Sequence, residues 1–166
     1  MSTTVTALPV PIRCTLPDGW LSVPPKEVNA DNAAFVAVHP GLSKGFTPSI
    51  TMTGHVRAHD APLQQVAEES LAELRAGATE VRVGERSEVG TADNPGFAQA
   101  VRLVLPYGGK PLHLVQRQAF FSMRHPRNPG STAVLQVVLS ALPDQFVRLL
   151  DEFHEFLTTI RPEVER

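Results

Sequence analysis

Hydrophobic positions recur along this 166-residue chain with two distinct periods. Phe146, Leu149, Leu150, Phe153, Phe156, Leu157 and Ile160 stand at offsets 0, 3, 4, 7, 10, 11 and 14, which is one stripe of an α-helix. Pro143 and Asp144 open that helix. Residues 132–140, just before it, are β-branched and apolar in both phases, which predicts a strand buried on both faces. A second helical stripe carries Leu63, Val66, Ala67, Leu71 and Leu74, at offsets 0, 3, 4, 8 and 11. Asp60 is its expected N-cap, with Pro62 in the first turn and Gly77 as the residue just past its end.

The remaining apolar runs are short and strand-like. Residues 33–38 and 49–58 predict two strands, separated by the breaker cluster His39-Pro40-Gly41. Residues 81–89 alternate, but Glu85 and Ser87 fall in the apolar phase, so one face is expected in solvent. Residues 97–105 and 112–123 flank a hairpin loop over 106–111, and 124–131 form a longer loop. Pro9, Pro11, Pro17, Pro24 and Pro25 crowd the start of the chain and keep long central strands out of it. Residues 12–16 and 20–23 are therefore read as short edge strands, paired as a hairpin through Asp18-Gly19.

The last three strands share one feature. One phase holds Ala98, Ala100, Val104, Val115, Ala119, Phe121, Leu135 and Val137; the other holds Val101, Leu103, Leu114, Phe120, Val134 and Val138. Both faces are apolar, and two amphipathic helices are available to cover them. The expected architecture is α+β: an antiparallel sheet of about six to seven strands with one helix on each face, an α/β/α sandwich. A single domain over 1–166 is expected, with 1–11 and 162–166 as flexible ends.

Composition narrows the function classes. A net charge of −2 and the lack of a basic stripe with interleaved aromatics argue against a nucleic-acid partner. No window has the length of a membrane span. Cys14 is the only cysteine, which fits a reducing compartment. Residues 1–9 show neither a positive n-region nor an apolar h-region, so a cytoplasmic location is expected.

Several residue groups have the chemistry of a site. Gln99, Gln116, Gln118 and Gln136 fall in one phase of three consecutive strands. Buried glutamine must be hydrogen-bonded, so the set marks either a polar-apolar cleft or a stretch of sheet left uncovered. Arg124, His125 and Arg127 make a basic loop that offers contacts to an acidic partner, and Tyr107 and Lys110 are placed on a neighbouring hairpin tip. Gly41-Leu42-Ser43-Lys44-Gly45 matches the nucleophile-elbow pattern but lacks the helix that must follow it. His55 and His59, four apart on and beyond a strand, lie about 13 Å apart and do not share a metal. Asp151, Glu152 and Glu155 read as the solvated face of a helix, with His154 at its edge. Trp20 and Cys14 read as core residues. No catalytic set, metal site or cofactor site emerges.

The opening Leu16-Pro17-Asp18-Gly19-Trp20, the order of elements, and the closing strand, short turn and F-x-x-L-L-x-x-F-x-x-F-L helix ending at Ile160-Arg161-Pro162 resemble the PsbP-like (Mog-type) fold. Within it the chain is similar to actinobacterial LpqN-type proteins. The resemblance spans residues 12–161. It implies a binding or assembly protein, since the fold includes a photosystem subunit, a Ran-GTPase binder and lipoproteins of poorly defined role, with no shared catalytic residues. LpqN-type proteins are expected to carry a lipidated cysteine, and Cys14 is not in a lipobox. The first expectation is thus a non-enzymatic protein-interaction or assembly module with a protein partner. The second is a small-molecule-binding protein or enzyme that uses the glutamine cleft. The third is a homodimer formed through an exposed strand edge.

Overall fold

The computed structural model describes residues 2–58, 62–92, 94–124 and 130–163. Seven strands form the main sheet: β3 (Leu21–Val23), β4 (Phe35–Val38), β5 (Ser49–Ala58), β6 (Glu80–Gly90), β7 (Pro95–Tyr107), β8 (Lys110–Arg124) and β9 (Ser131–Ala141). Their spatial order is β3-β4-β5-β9-β8-β7-β6, and every pairing is antiparallel. A small second sheet joins β1 (Ser2–Val5), β2 (Ile12–Thr15) and β10 (Arg161–Pro162) in the order β1-β2-β10. The helices are α1 (Leu63–Gly77) and α2 (Pro143–Thr159).

The two-faced apolar pattern does what the sequence predicts. On one face Phe35, Ile50, Met52, Ala119, Phe121, Val137 and Leu139 pack against Leu149, Phe153 and Phe156 of α2 in one continuous core. Those three helical side chains are each 1% exposed, and burial of each contributes about 1.5–3 kcal/mol before entropy. On the other face Val66 and Ala67 of α1 meet Phe97, Phe120 and Val134, while Leu71 meets Val101, Leu103 and Leu114. One helix therefore covers each face of the sheet.

Local chemistry sets the helix ends, with corrections to the sequence reading. Pro62 is the N-cap of α1 and lies before the first turn; the expected cap Asp60 lies outside the described residues. Gly77 is the last helical residue, and Ala78 closes the helix through its N–H to Leu74 O at 2.8 Å. At α2, Pro143 takes the first helical position, where its missing N–H costs nothing. The Gln145 side chain accepts from Leu142 N–H at 2.8 Å, half of a capping box, and donates to the carbonyls of Leu42 and Phe46 at 2.7 and 2.9 Å. One buried amide thus ties the 42–46 loop to the helix start.

The N-terminal part departs further from expectation. β2 and β3 do not form a hairpin: β2 pairs with β1 and β10, whereas β3 pairs with β4. Pro17 has no N–H to continue a ladder, and the chain turns a corner at 17–20 with Trp20 N–H on Pro17 O at 3.3 Å. Gly19 sits at φ +90° and packs on His39, where a Cβ would lie 2.7 Å from the ring nitrogen. Residues 2–10, expected as a loose end, carry β1 and the buried side chains of Val5, Leu8 and Val10. Leu8 and Pro9 lie directly on Gly54 of β5, whose missing side chain makes room for them. Of the opposite end, Pro162 pairs with Ile12 and residues 164–166 lie outside the described residues.

Both free edges of the main sheet are blunted. β3 is three residues long and precedes Pro24-Pro25. β6 shifts register between Val83 and Arg86 and carries Glu80, Arg82, Glu85, Arg86 and Glu88. A bulge and a charged edge both oppose pairing with another strand.

Candidate functional site

The glutamines are brought together, but under a helix. Gln99 and Gln118 are directly paired across β7 and β8, and they are 0% and 1% exposed. Gln99 Nε2 donates to Gln118 Oε1 at 2.8 Å and to Ala67 O of α1 at 3.3 Å. Gln118 Nε2 donates to Gln116 Oε1 at 2.9 Å, and Gln116 Nε2 to Ser140 Oγ at 3.1 Å. Arg86 closes the outer end, donating to Gln99 Oε1 at 3.1 Å and to Glu68 Oε1 at 2.6 Å. The result is a ladder that crosses β6, β7, β8 and β9 beneath α1. Gln136 shares the face but stands apart, bonded to Ser70 Oγ of α1 at 3.2 Å. These amides satisfy one another, as buried polar groups must.

The basic loop divides differently. Arg124 ends β8 and is exposed, while His125 and Arg127 lie outside the described residues. Tyr107 and Lys110, at the tip of the β7–β8 hairpin, are not its neighbours: β8 is 15 residues long and separates them by about 45 Å. Ser43 follows a 3-10 turn over Pro40–Leu42, bonds Thr47 Oγ1 at 2.8 Å and leads into β5, so it has no nucleophile-elbow geometry. His59 lies outside the described residues. Among the described residues no group of three or more His, Cys, Asp or Glu side chains converges as metal ligands would. Burial pushes the Cys14 thiol up to about 11, which keeps it protonated and inert. Trp20 is a core residue with its polar handle used: Nε1 donates to Glu152 Oε1 at 3.1 Å, and the ring meets His39 edge-on at 5.3 Å.

Two histidines are held below their ordinary value of 6.5. For His55 of β5 the main cause is burial, with Arg57 adding to it and Glu73 and Glu69 opposing. For His154 of α2 burial again leads, Arg117 adds, and Asp151 and Glu85 oppose. Arg57 holds the Glu69 carboxyl below the usual carboxylate range through a two-pronged pair that fastens α1 to β5.

A concavity on the α2 face is lined by residues that the sequence pattern did not mark as a site. There α2 lies mainly over β8 and β9 and leaves open the stretch of β6, β7 and β8 next to the β7–β8 hairpin. A trough of about 330 Å³ lies beside Pro143, lined by Glu80 and Arg82 of β6, Arg102 and Val104 of β7, and His113 and Val115 of β8. Arg117, two positions along β8 on the same face, is 6% exposed and bonds Ser87 Oγ at 3.3 Å. The signal was present: Arg102 and Arg117 interrupt an otherwise apolar phase. A second hollow of about 550 Å³, lined by Leu63, Gln64, Glu88, Phe97 and Ser122, lies near the start of α1. None of the four glutamines lines either one.

Solved structures share this arrangement along nearly the whole chain. LpqN of Mycobacterium tuberculosis, described as involved in cell envelope biogenesis, superposes with a TM-score of 0.65 at 19% identity, covering 98% of this chain and 91% of that one. The cyanobacterial PsbP of Synechocystis sp. PCC 6803 gives a TM-score of 0.60 at 11% identity, over 92% and 86% of the two chains. This is the PsbP-like fold. The Saccharomyces cerevisiae Ran-binding protein Mog1p has it as well, with a TM-score of 0.54 at 17% identity over 91% and 89%. No family model matches the chain, and no curated protein matches it by sequence. Identities this low establish the PsbP-like fold alone. Among the described residues, no helix is long and apolar enough to cross a membrane.

Proposed function

We propose that this chain is a non-enzymatic protein-interaction or assembly module acting in the cytoplasm. The observation that carries the reading is the fate of the glutamines. Gln99, Gln116 and Gln118, the polar groups best placed to recognise a small molecule, are bonded to one another beneath α1. That favours a surface-binding role over the cleft reading. A Ran-binding protein with the same fold supports it by analogy. A homodimer through a strand edge is disfavoured by the bulge and charges of β6.

The test is quantitative affinity capture with the full chain from native cell extract under several growth conditions. A protein recovered in near-stoichiometric amount is the expected result. Recovery of none, together with a small metabolite that raises the thermal midpoint, would overturn the reading in favour of ligand binding.

A further inference from the structure

The face of β6, β7 and β8 beside the start of α2 carries a cluster of basic side chains. Arg82, Arg102, His113 and Arg117 all project from it, and Glu80 is the one acid lining the trough. Glu80 accepts from Arg82 Nε, and the Nη groups of Arg82 make no side-chain hydrogen bond among the described residues. Arg102 is exposed and makes no ion pair among the described residues. Arg117 is buried and has no carboxylate within 4.0 Å among the described residues. Glu85 and Asp151 stand near His154 and mark the inner limit of this positive region. The floor between the cations is apolar, made by Val104, Val115 and Pro143.

We propose that this trough seats an acidic segment of a partner protein, with carboxylates on Arg82 and Arg102 and an aliphatic side chain over Val104 and Val115. The inference rests on the interaction-module reading and gives it a place and a partner chemistry. Charge complementarity selects the occupant. A cationic rim around an apolar floor suits a segment in which acids alternate with aliphatic residues, and arginine forks bind carboxylates in pairs. The trough crosses three strands, about 10 Å, which matches three or four residues of an extended segment.

The probe is an acetylated, fluorescein-labelled peptide of about eight residues alternating aspartate and valine, titrated into the full chain by anisotropy. Saturable binding is expected, weakening several-fold from about 50 to about 300 mM salt. Arg102→Glu is expected to weaken it at least about fivefold to tenfold, and Arg75→Glu, the same charge change on α1 across the sheet, to leave it unchanged. Amide shifts in the nitrogen-15 spectrum of the full chain should centre on Arg82, Arg102, His113 and Val115. Equal loss in both variants, shifts centred elsewhere, or equally tight binding of a uridine octamer would overturn the proposal. Capture from extract separates the two readings. A partner lost by Arg102→Glu supports the trough. A partner held equally by wild type and Arg102→Glu overturns it and leaves the module reading intact. Peptide seated in the trough with no cellular partner captured upholds the trough's chemistry and overturns the module reading.

Discussion

The two faces of the main sheet are covered by helices of similar length, yet they are held in different ways. Beneath α2 the core is one continuous apolar cluster that also takes in β1, β2 and the 8–10 segment. Beneath α1 the apolar contacts fall into two smaller groups, with the glutamine ladder on the same face. Ion pairs bind α1 at both flanks, Arg57 with Glu69 from β5 and Arg86 with Glu68 from β6. Their side chains are partly exposed, so water screens them and they align the helix more than they stabilise it. The difference teaches that one sheet can use apolar burial for cohesion on one side and directional bonding for alignment on the other. It also implies that α1 opens at lower free energy than α2.

That asymmetry can be broken at several points. Phe153→Ala should remove about 3–5 kcal/mol of stability in urea unfolding, and Leu71→Ala about 2–3 kcal/mol. A larger loss for Leu71→Ala would mean that the α1 face holds the fold. Gln99→Met should cost about 1–3 kcal/mol by stranding Gln118 and Arg86. Gln99→Met with Gln118→Met should cost less than the sum of the two single changes. Strict additivity in a double-mutant cycle would show that the ladder is not a coupled unit.

Gly54→Ala tests the reach of the α2-side core into the N-terminus. A Cβ there would stand 2.7 Å from Pro9 Cδ and 2.9 Å from Leu8 Cδ2. The expected loss is about 1–3 kcal/mol, with faster protease cleavage in residues 2–10. An unchanged cleavage rate would show that the segment contributes little.

The smallest effect is that of pH. His55 and His154 have folded pKa values below 6.5, so the unfolded chain takes up their protons first. Stability is full above pH 6.5 and falls as pH drops, until the folded values are passed. Glu69 adds a loss at lower pH, because its stabilisation is present above 4.5 and disappears as pH falls through its depressed value. Thermal midpoints between pH 7.5 and 5 should therefore decline, and His55→Gln with His154→Gln should flatten the curve. A wild-type midpoint that does not move would contradict both assignments.

Much of this fold was legible because period alone decides it. The stripe from Phe146 to Ile160 and the two-sided strands predict an antiparallel sheet between two helices, and the structure has it. The small sheet was not legible. Nothing in the short run of β2 says that it pairs with β1 and β10, because a strand of four residues carries no record of its partner. The shared face of the glutamines followed from strand alternation. Their concealment did not, since it depends on which strands α1 crosses. The trough was missed for a related reason. Arg102, His113 and Arg117 are far apart in sequence and become neighbours only through the β7–β8 pairing.

The glutamine ladder has a further consequence, for the folding search. Long strands that are apolar on both faces are poorly protected against sliding, because a slipped pairing still buries oil against oil. In the β7–β8 hairpin a one-residue slip would turn the amides of Gln116 and Gln118 toward the phenylalanines of α2, where they have no partners. A two-residue slip would keep them on the α1 face; in one direction it sets Phe120 opposite Gln99, and in the other it sets Gln116 there. The three amides thus act as a key cut into an otherwise featureless surface, one that rejects every slip by a single residue and one of the two slips by a pair.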